Sequence, residues 1–160
     1  MKIGFYAGSF DPFTIGHFHI VKTASKLFDK VIVGIGVNPQ KTPRYNKEDM
    51  KAAINLLFKN QNLTNCECIL FEGLTADIAM ATNASYLIRG LRNGMDYEFE
   101  ENLALVNQEI SGLDTIYIRA GQYGAVSSSM VYELIKNNKD TSKYLPKEIK
   151  DLIQNLGNLE

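Results

Sequence analysis

Short apolar runs alternate along this chain with longer stretches whose apolar positions recur every three or four residues. Ile3–Ala7, Val31–Val37, Cys66–Phe71, Tyr86–Arg89 and Thr115–Arg119 read as strands. Between the first two, Ile20–Phe28 has helical spacing at Ile20, Val21, Ala24, Leu27 and Phe28. Lys47–Asn60, Leu74–Thr82 and Met95–Ile110 read as helices, and Ser128–Lys136 and Pro146–Leu156 follow as two more. Asn46 is placed to cap the second helix, Glu48 and Asp49 suit its dipole, and Pro146 suits a first helical turn. The polar tail after Leu156 is expected to fray. Strands that are apolar on both faces and separated by helices predict an α/β fold. The expectation is one domain over residues 1–160, a doubly wound parallel five-stranded sheet with helices on both faces. Ligands of such sheets bind beyond the carboxyl ends of the strands, which directs attention to the loops after Ala7, Val37, Phe71, Arg89 and Arg119.

The 160 residues suit a single domain that buries a sufficient core without staples. Lys and Arg total 17 against 18 Asp and Glu, a net charge of −1, which gives no electrostatic reason to expect nucleic acid or an anionic membrane as partner. Cys66 and Cys68 sit on one face of a strand, an arrangement of reduced thiols rather than of a disulfide or a zinc set. The N-terminus lacks the apolar core of a signal peptide, and no apolar run is long enough to span a bilayer, so a cytoplasmic location is expected.

Candidate chemistry gathers in the loops. Gly8-Ser9-Phe10-Asp11-Pro12-Phe13-Thr14-Ile15-Gly16-His17 follows the first strand and opens the first helix. Gly8 permits close backbone approach and Ser9 offers a hydroxyl and an N–H. Gly16 and His17 stand where free N–H groups and the helix dipole favour a phosphate. The bland alternative is a turn with a polar cap. Lys41, between Pro39 and Pro43, follows the second strand, where an ammonium can pair with phosphate or remain a solvated loop lysine. In Ile88-Arg89-Gly90-Leu91-Arg92 two arginines flank a glycine at a strand end, and planar guanidinium forks grip phosphate oxygens in pairs. Asp96, Glu98 and Glu100 lie in the following helix, where mixed acids mostly make a solvated face. Tyr123-Gly124-Ala125-Val126-Ser127-Ser128-Ser129 ends in a serine triplet suited to capping and to cradling phosphate.

Other templates fail. No P-loop string and no nucleophile elbow occur, and Pro39 stands where a dinucleotide fingerprint needs its third glycine. His17 and His19 are two apart, the wrong spacing for paired metal ligands on one helix face.

The first loop resembles the ATP-binding signature of the nucleotidylyltransferases, a (H/T)xGH tetrad after a G(T/S)FDP stretch, with Thr14 in the first tetrad position. With NPQKTP, LIRGLRNGMDYEFE and VSSSMV in order, the chain from about Lys2 to about Leu152 resembles bacterial phosphopantetheine adenylyltransferases. The resemblance implies a Rossmann-like fold and a homohexamer. It implies transfer of adenylyl from ATP to 4′-phosphopantetheine, giving dephospho-coenzyme A and pyrophosphate with Mg²⁺ as cofactor, and feedback binding of coenzyme A. By the same resemblance His17, Lys41 and Arg89 would stabilise the transition state, and Ser9, Lys41, Thr75 and Arg89 would hold the acceptor. Ser9, Phe10, His17, Gly90, Leu91, Arg92, Glu100, Tyr123, Gly124, Ala125, Val126, Ser127, Ser128 and Ser129 would hold ATP. Tyr123 and Phe99 depart from the tryptophan and tyrosine common in relatives, and Ser9 keeps the hydroxyl of the commoner threonine.

A substrate phosphate is already ionised at neutral pH, so such an attack needs no protein base, which agrees with a chain that has no evident nucleophile–base pair. Rival readings are a nicotinamide-nucleotide or glycerol-phosphate nucleotidylyltransferase, a non-catalytic nucleotide sensor and a nucleic-acid module. Thr14 and the RGLR string oppose the first, the full set of donors the second, and the net charge the third.

Overall fold

The strands pair where their apolar runs predict, and the computed structural model describes residues 1–157. The strands are β1 (Ile3–Gly8), β2 (Lys30–Gly36), β3 (Cys66–Phe71), β4 (Tyr86–Leu91) and β5 (Thr115–Arg119). The helices are α1 (Ile15–Leu27), α2 (Lys47–Asn60), α3 (Thr75–Ala81), α4 (Gly94–Ser111), α5 (Ser128–Lys136) and α6 (Lys147–Gly157), with a short 3₁₀ turn at Gly121–Tyr123. All strand pairs are parallel, in the order β3-β2-β1-β4-β5. No helix among the described residues is long and apolar enough to cross a membrane. The remainder of the tail expected to fray, 158–160, lies outside the described residues.

The two faces of the sheet bury separate cores. One gathers Val31, Val33, Ile35 and Ile88 from the strands against Val21 and Ala24 of α1, Met50, Ile54 and Leu57 of α2, Val131 of α5 and Ile149 of α6. The other packs Phe5, Ile32, Phe71 and Leu87 against Ala79 and Ile78 of α3, and α4 lies beside α3. Helices therefore cover both faces, as the doubly wound expectation requires. Crossovers run to one side from β1 through β3, and the chain then returns to place β4 on the other side of β1. The gap between the carboxyl ends of β1 and β4 is the switch point where such sheets open a crevice.

Several boundaries differ from the sequence reading. The first helix starts at Ile15, five residues earlier than its apolar spacing implies, because Thr14 caps it. β4 runs on to Leu91, since Leu91 still pairs with Arg119, so Arg89 and Gly90 are strand residues. Pro146 sits just ahead of α6, where its carbonyl accepts from the N–H groups of Ile149 and Lys150. Asn46 does cap α2, accepting from the Asp49 N–H. The Cys66 and Cys68 thiols are free, and burial pushes them up to about 11 and about 12, which keeps them protonated.

Candidate active site

β1 delivers its last residues to the crevice, and the loop after it is shaped by aromatic packing. Phe10 adopts a left-handed backbone (φ 46°), and its ring folds back so closely that a Cβ on Gly8 would meet it at 2.9 Å. That ring stands edge-on to Tyr6 at 5.1 Å and to His17 at 5.0 Å, and Phe13 flanks His17 at 5.5 Å. His17 is thus held in an aromatic slot at the first turn of α1.

The cap of α1 fixes the state of this histidine. Thr14 is 1% exposed; its hydroxyl accepts from the His17 N–H at 3.4 Å, and its own N–H donates to His17 Nδ1 at 2.9 Å. An Nδ1 that accepts carries no proton, so the neutral ring bears its hydrogen on Nε2. Burial lowers the His17 pKa to about 3, and the charges of Arg89 and Arg92 push it the same way. His17 is therefore a neutral, oriented N–H donor and not a cation.

Arg89 crosses from β4 to β1. Its Nη1 donates to the Ala7 carbonyl at 2.6 Å, and its Nε and Nη2 donate to the two carboxylate oxygens of Glu100 at 2.7 and 2.8 Å. Glu100 is the single buried residue of α4, so this two-pronged pair joins α4 to the switch point. Arg92 is held likewise: its Nε donates to Asp96 at 2.9 Å, and its backbone N–H donates to the same carboxylate at 3.1 Å. Both arginines of the RGLR string have an acidic partner from the helix read from sequence as a solvated face.

On the far side, Ser127 caps α5 by accepting from the Met130 N–H, and Ser128 Oγ donates to the Pro12 carbonyl at 2.8 Å. The first turns of α1 and α5 thus open onto the same cleft, with their free N–H groups and positive dipole ends.

The cleft of about 270 Å³ is walled by Ser9, His17, Arg89, Gly90, Arg92 and Ser127 among others. A second recess, about 300 Å³, runs toward the ends of β2 and β3 and includes Val37 and Thr75. The two share Ala7, Gly8, Ser9 and Arg89. A third, about 310 Å³, lies between the sheet, α3 and α4 and is lined by Leu74, Leu103 and Val106. Two compartments meeting at a serine and an arginine can hold two ligands with their reacting ends together.

Of the residues singled out from sequence, Ser9, Phe10, His17, Arg89, Gly90, Arg92, Glu100, Tyr123, Val126, Ser127 and Ser128 line the first compartment, and Thr75 lines the second and third. Lys41 stands apart, exposed on the loop between β2 and α2 and lining none of the three. Leu91, Gly124, Ala125 and Ser129 also lie outside the lining, Ser129 accepting from Arg44 at 3.4 Å. Sequence reasoning missed Tyr6 and Asp96, which line the cleft. It also missed Asp11, whose carboxylate accepts from the N–H groups of Arg44 and Tyr45 at 2.7 and 3.0 Å and ties the Lys41 loop to the first loop. The FDP string was the one available signal for Asp11; Tyr6 gave none, since it reads as a core strand residue.

This arrangement matches known proteins over nearly all of its length. The cytidylyltransferase-like family matches residues 5–134. The phosphopantetheine adenylyltransferase of Flavobacterium psychrophilum is 38% identical over 151 residues, covering 94% of this chain and 99% of its own. That of Porphyromonas gingivalis is 39% identical over 146 residues, covering 91% of this chain and 94% of its own. In fold the chain resembles the nicotinic acid mononucleotide adenylyltransferase of Plasmodium falciparum, solved with NaAD, with a TM-score of 0.73 at 17% identity and 99% of both chains covered. By sequence over more than nine tenths of its length, this chain belongs to the phosphopantetheine adenylyltransferases, a family of nucleotidyltransferases.

Proposed function

We propose that the chain transfers the adenylyl group of ATP to 4′-phosphopantetheine, releasing pyrophosphate and forming dephospho-coenzyme A. The observation that carries this reading is the meeting of two compartments at Ser9 and Arg89, between the ends of β1 and β4. ATP occupies the first, its phosphates against the α1 and α5 N-termini and its remainder against Gly90, Leu91, Arg92 and the Tyr123–Ser129 segment. The acceptor occupies the second, its pantetheine arm passing Thr75.

The acceptor phosphate attacks the α-phosphorus in line and pyrophosphate departs; no proton has to leave the nucleophile first. The protein's work is to position the two groups and to stabilise charge on the equatorial and leaving oxygens. His17 Nε2–H and the α1 amides donate to the reacting phosphate without adding net charge. Arg89, kept in place by Glu100 and Ala7, turns its remaining surface to the junction. Lys41 lies outside the cleft on a loop anchored by Asp11 and Arg44, and its part in this reading is to pair with phosphate from that loop.

A Mg²⁺ ion accompanying ATP would be held mainly by triphosphate oxygens. The protein's own carboxylates do not fit a cation cage: Asp96 and Glu100 are each engaged by an arginine, and no group of three His, Cys, Asp or Glu comes together among the described residues. Coenzyme A carries both an adenylyl and a pantetheine portion, so it would occupy both compartments and compete with both substrates. A homo-oligomer, a hexamer in the family reading, is supported by α4, where Met95, Phe99, Leu103, Val106 and Ile110 form an apolar stripe left 42–85% exposed.

The deciding assay incubates the protein with ATP, Mg²⁺ and 4′-phosphopantetheine and follows dephospho-coenzyme A by mass. Its formation is expected. Pyrophosphate release with nicotinamide mononucleotide or glycerol phosphate, and none with phosphopantetheine, would overturn the acceptor assignment.

A further inference from the structure

Tyr6 is 6% exposed, and its ring is sealed edge-on by Phe10 at 5.1 Å. A phenylalanine would pack the same way. The hydroxyl is therefore the part of this side chain that packing does not explain. It lies 3.9 Å from the position a Cβ on Gly90 would take, at the floor of the cleft between β1 and β4. No hydrogen bond joins it to another protein group among the described residues, yet no polar side-chain atom there is sealed away without a partner. The hydroxyl therefore opens into the cleft that Tyr6 lines. Arg89, Arg92 and Glu100 set the electrostatic surroundings, and burial pushes the phenol's pKa upward, so it keeps its proton.

A ligand that fills the cleft displaces water from this hydroxyl, and it binds best if it accepts the hydrogen bond in water's place. The cleft that offers such a partner is the one Tyr6 lines together with Ser9 and Gly90. We propose that Tyr6 is a nucleotide-contacting residue whose hydroxyl donates a hydrogen bond to an oxygen of ATP bound in this compartment. The inference rests on the adenylyl-transfer reading only for the identity of the nucleotide.

Tyr6→Phe removes one oxygen and keeps the ring. ATP affinity is measured by calorimetric titration of the full chain, wild type and Y6F, beside the melting temperature of each free protein. ATP binding is expected to weaken about five- to tenfold, the loss of one hydrogen bond to a polar acceptor. The free proteins melt together, because the hydroxyl holds nothing in the protein, and in turnover KM for ATP rises while KM for phosphopantetheine stays within about twofold. Parallel titrations with adenosine and with inorganic tripolyphosphate locate the accepting oxygen: a loss shared with adenosine places it on the ribose, one shared with tripolyphosphate on the phosphates. Unchanged ATP affinity in Y6F overturns the proposal, as does a lowered melting temperature with unchanged affinity. Failure of the reaction itself is read separately, as wild-type protein that binds ATP and forms no dephospho-coenzyme A.

Discussion

The backbone N–H of Thr14 and the Nδ1 of His17 are 2.9 Å apart, and this hydrogen bond decides which imidazole nitrogen carries the proton. The cap of α1 and the protonation state of the residue proposed to touch the reacting phosphate are one feature. A charged imidazole would need a second proton on Nδ1, and that proton would point at the Thr14 N–H.

Replacing His17 by Ala removes the donor and leaves the aromatic slot partly empty. Turnover is expected to fall by about 10²–10³ with the KM values little changed, since the interaction belongs to the transition state. Far-UV circular dichroism should report the same fold. Unchanged steady-state kinetics would remove His17 from the mechanism.

The low pKa of His17 has a consequence for activity. With its proton gained only near about 3, His17 does not titrate between pH 5 and pH 8. An acid limb of the kcat profile near about pH 6 is therefore not that of His17, and the second ionisation of the acceptor phosphate is the group expected to produce it. The same limb should persist in the residual activity of His17→Gln. Its disappearance in that variant would show that His17 itself titrates.

The same shift predicts a stability profile. His17 has an ordinary pKa of 6.5 when unfolded and about 3 when folded, so the unfolded chain binds its proton first. Between these values the unfolded state holds more protons, and stability falls as pH falls, by up to about 1.4 kcal/mol per pH unit. Above pH 6.5 neither state is protonated at this group and the contribution is flat. Denaturant titrations across that window should give a shallower slope for His17→Gln than for wild type. Equal slopes would contradict the neutral, buried ring.

Glu100 and Arg89 join the buried side of α4 to the switch point through a two-pronged ion pair. Glu100→Ala should lower stability by about 1.5–3 kcal/mol and raise KM for the acceptor, as Arg89 loses two of its three hydrogen bonds. Glu100→Gln keeps one accepting oxygen and should recover part of both effects. Acceptor KM at the wild-type value in Glu100→Ala would show that Arg89 is not positioned through this pair.

Asp11 anchors the loop that carries Lys41. Asp11→Ala frees the Arg44 and Tyr45 N–H groups, and KM for the acceptor should rise on the order of tenfold with smaller change for ATP. Adding Lys41→Ala to Asp11→Ala should then cost less than Lys41→Ala does in the wild type, since the two act on one contact. Full additivity would mean that the anchor does not serve Lys41.

What this chain's sequence determined by itself was governed by short range, although the Thr14 cap that starts α1 escaped the apolar spacing. The five apolar runs became five parallel strands, Asn46 and Ser127 became caps, and the Gly8–His17 string sits at the crevice it was read to line. Periodicity and capping depend on residues within a few positions of each other, so they are legible in one dimension. The partnership of Arg89 with Ala7 spans 82 positions and that with Glu100 spans 11 across two elements. Neither leaves a periodic trace, so an arginine read as a phosphate grip is found paired, and a glutamate that its helix pattern placed on a solvated face, and the resemblance at the nucleotide, is found buried. Tyr6 looks like any core strand residue until β4 is laid beside β1 and Gly90 leaves room above its hydroxyl. Lys41 shows the converse: its proline-flanked loop marks it in the sequence, but its distance from the cleft is set by how Asp11 and Arg44 hold that loop. Long-range pairing of strands and the ion pairs it brings together are decided by three-dimensional closure, and only the folded molecule records them.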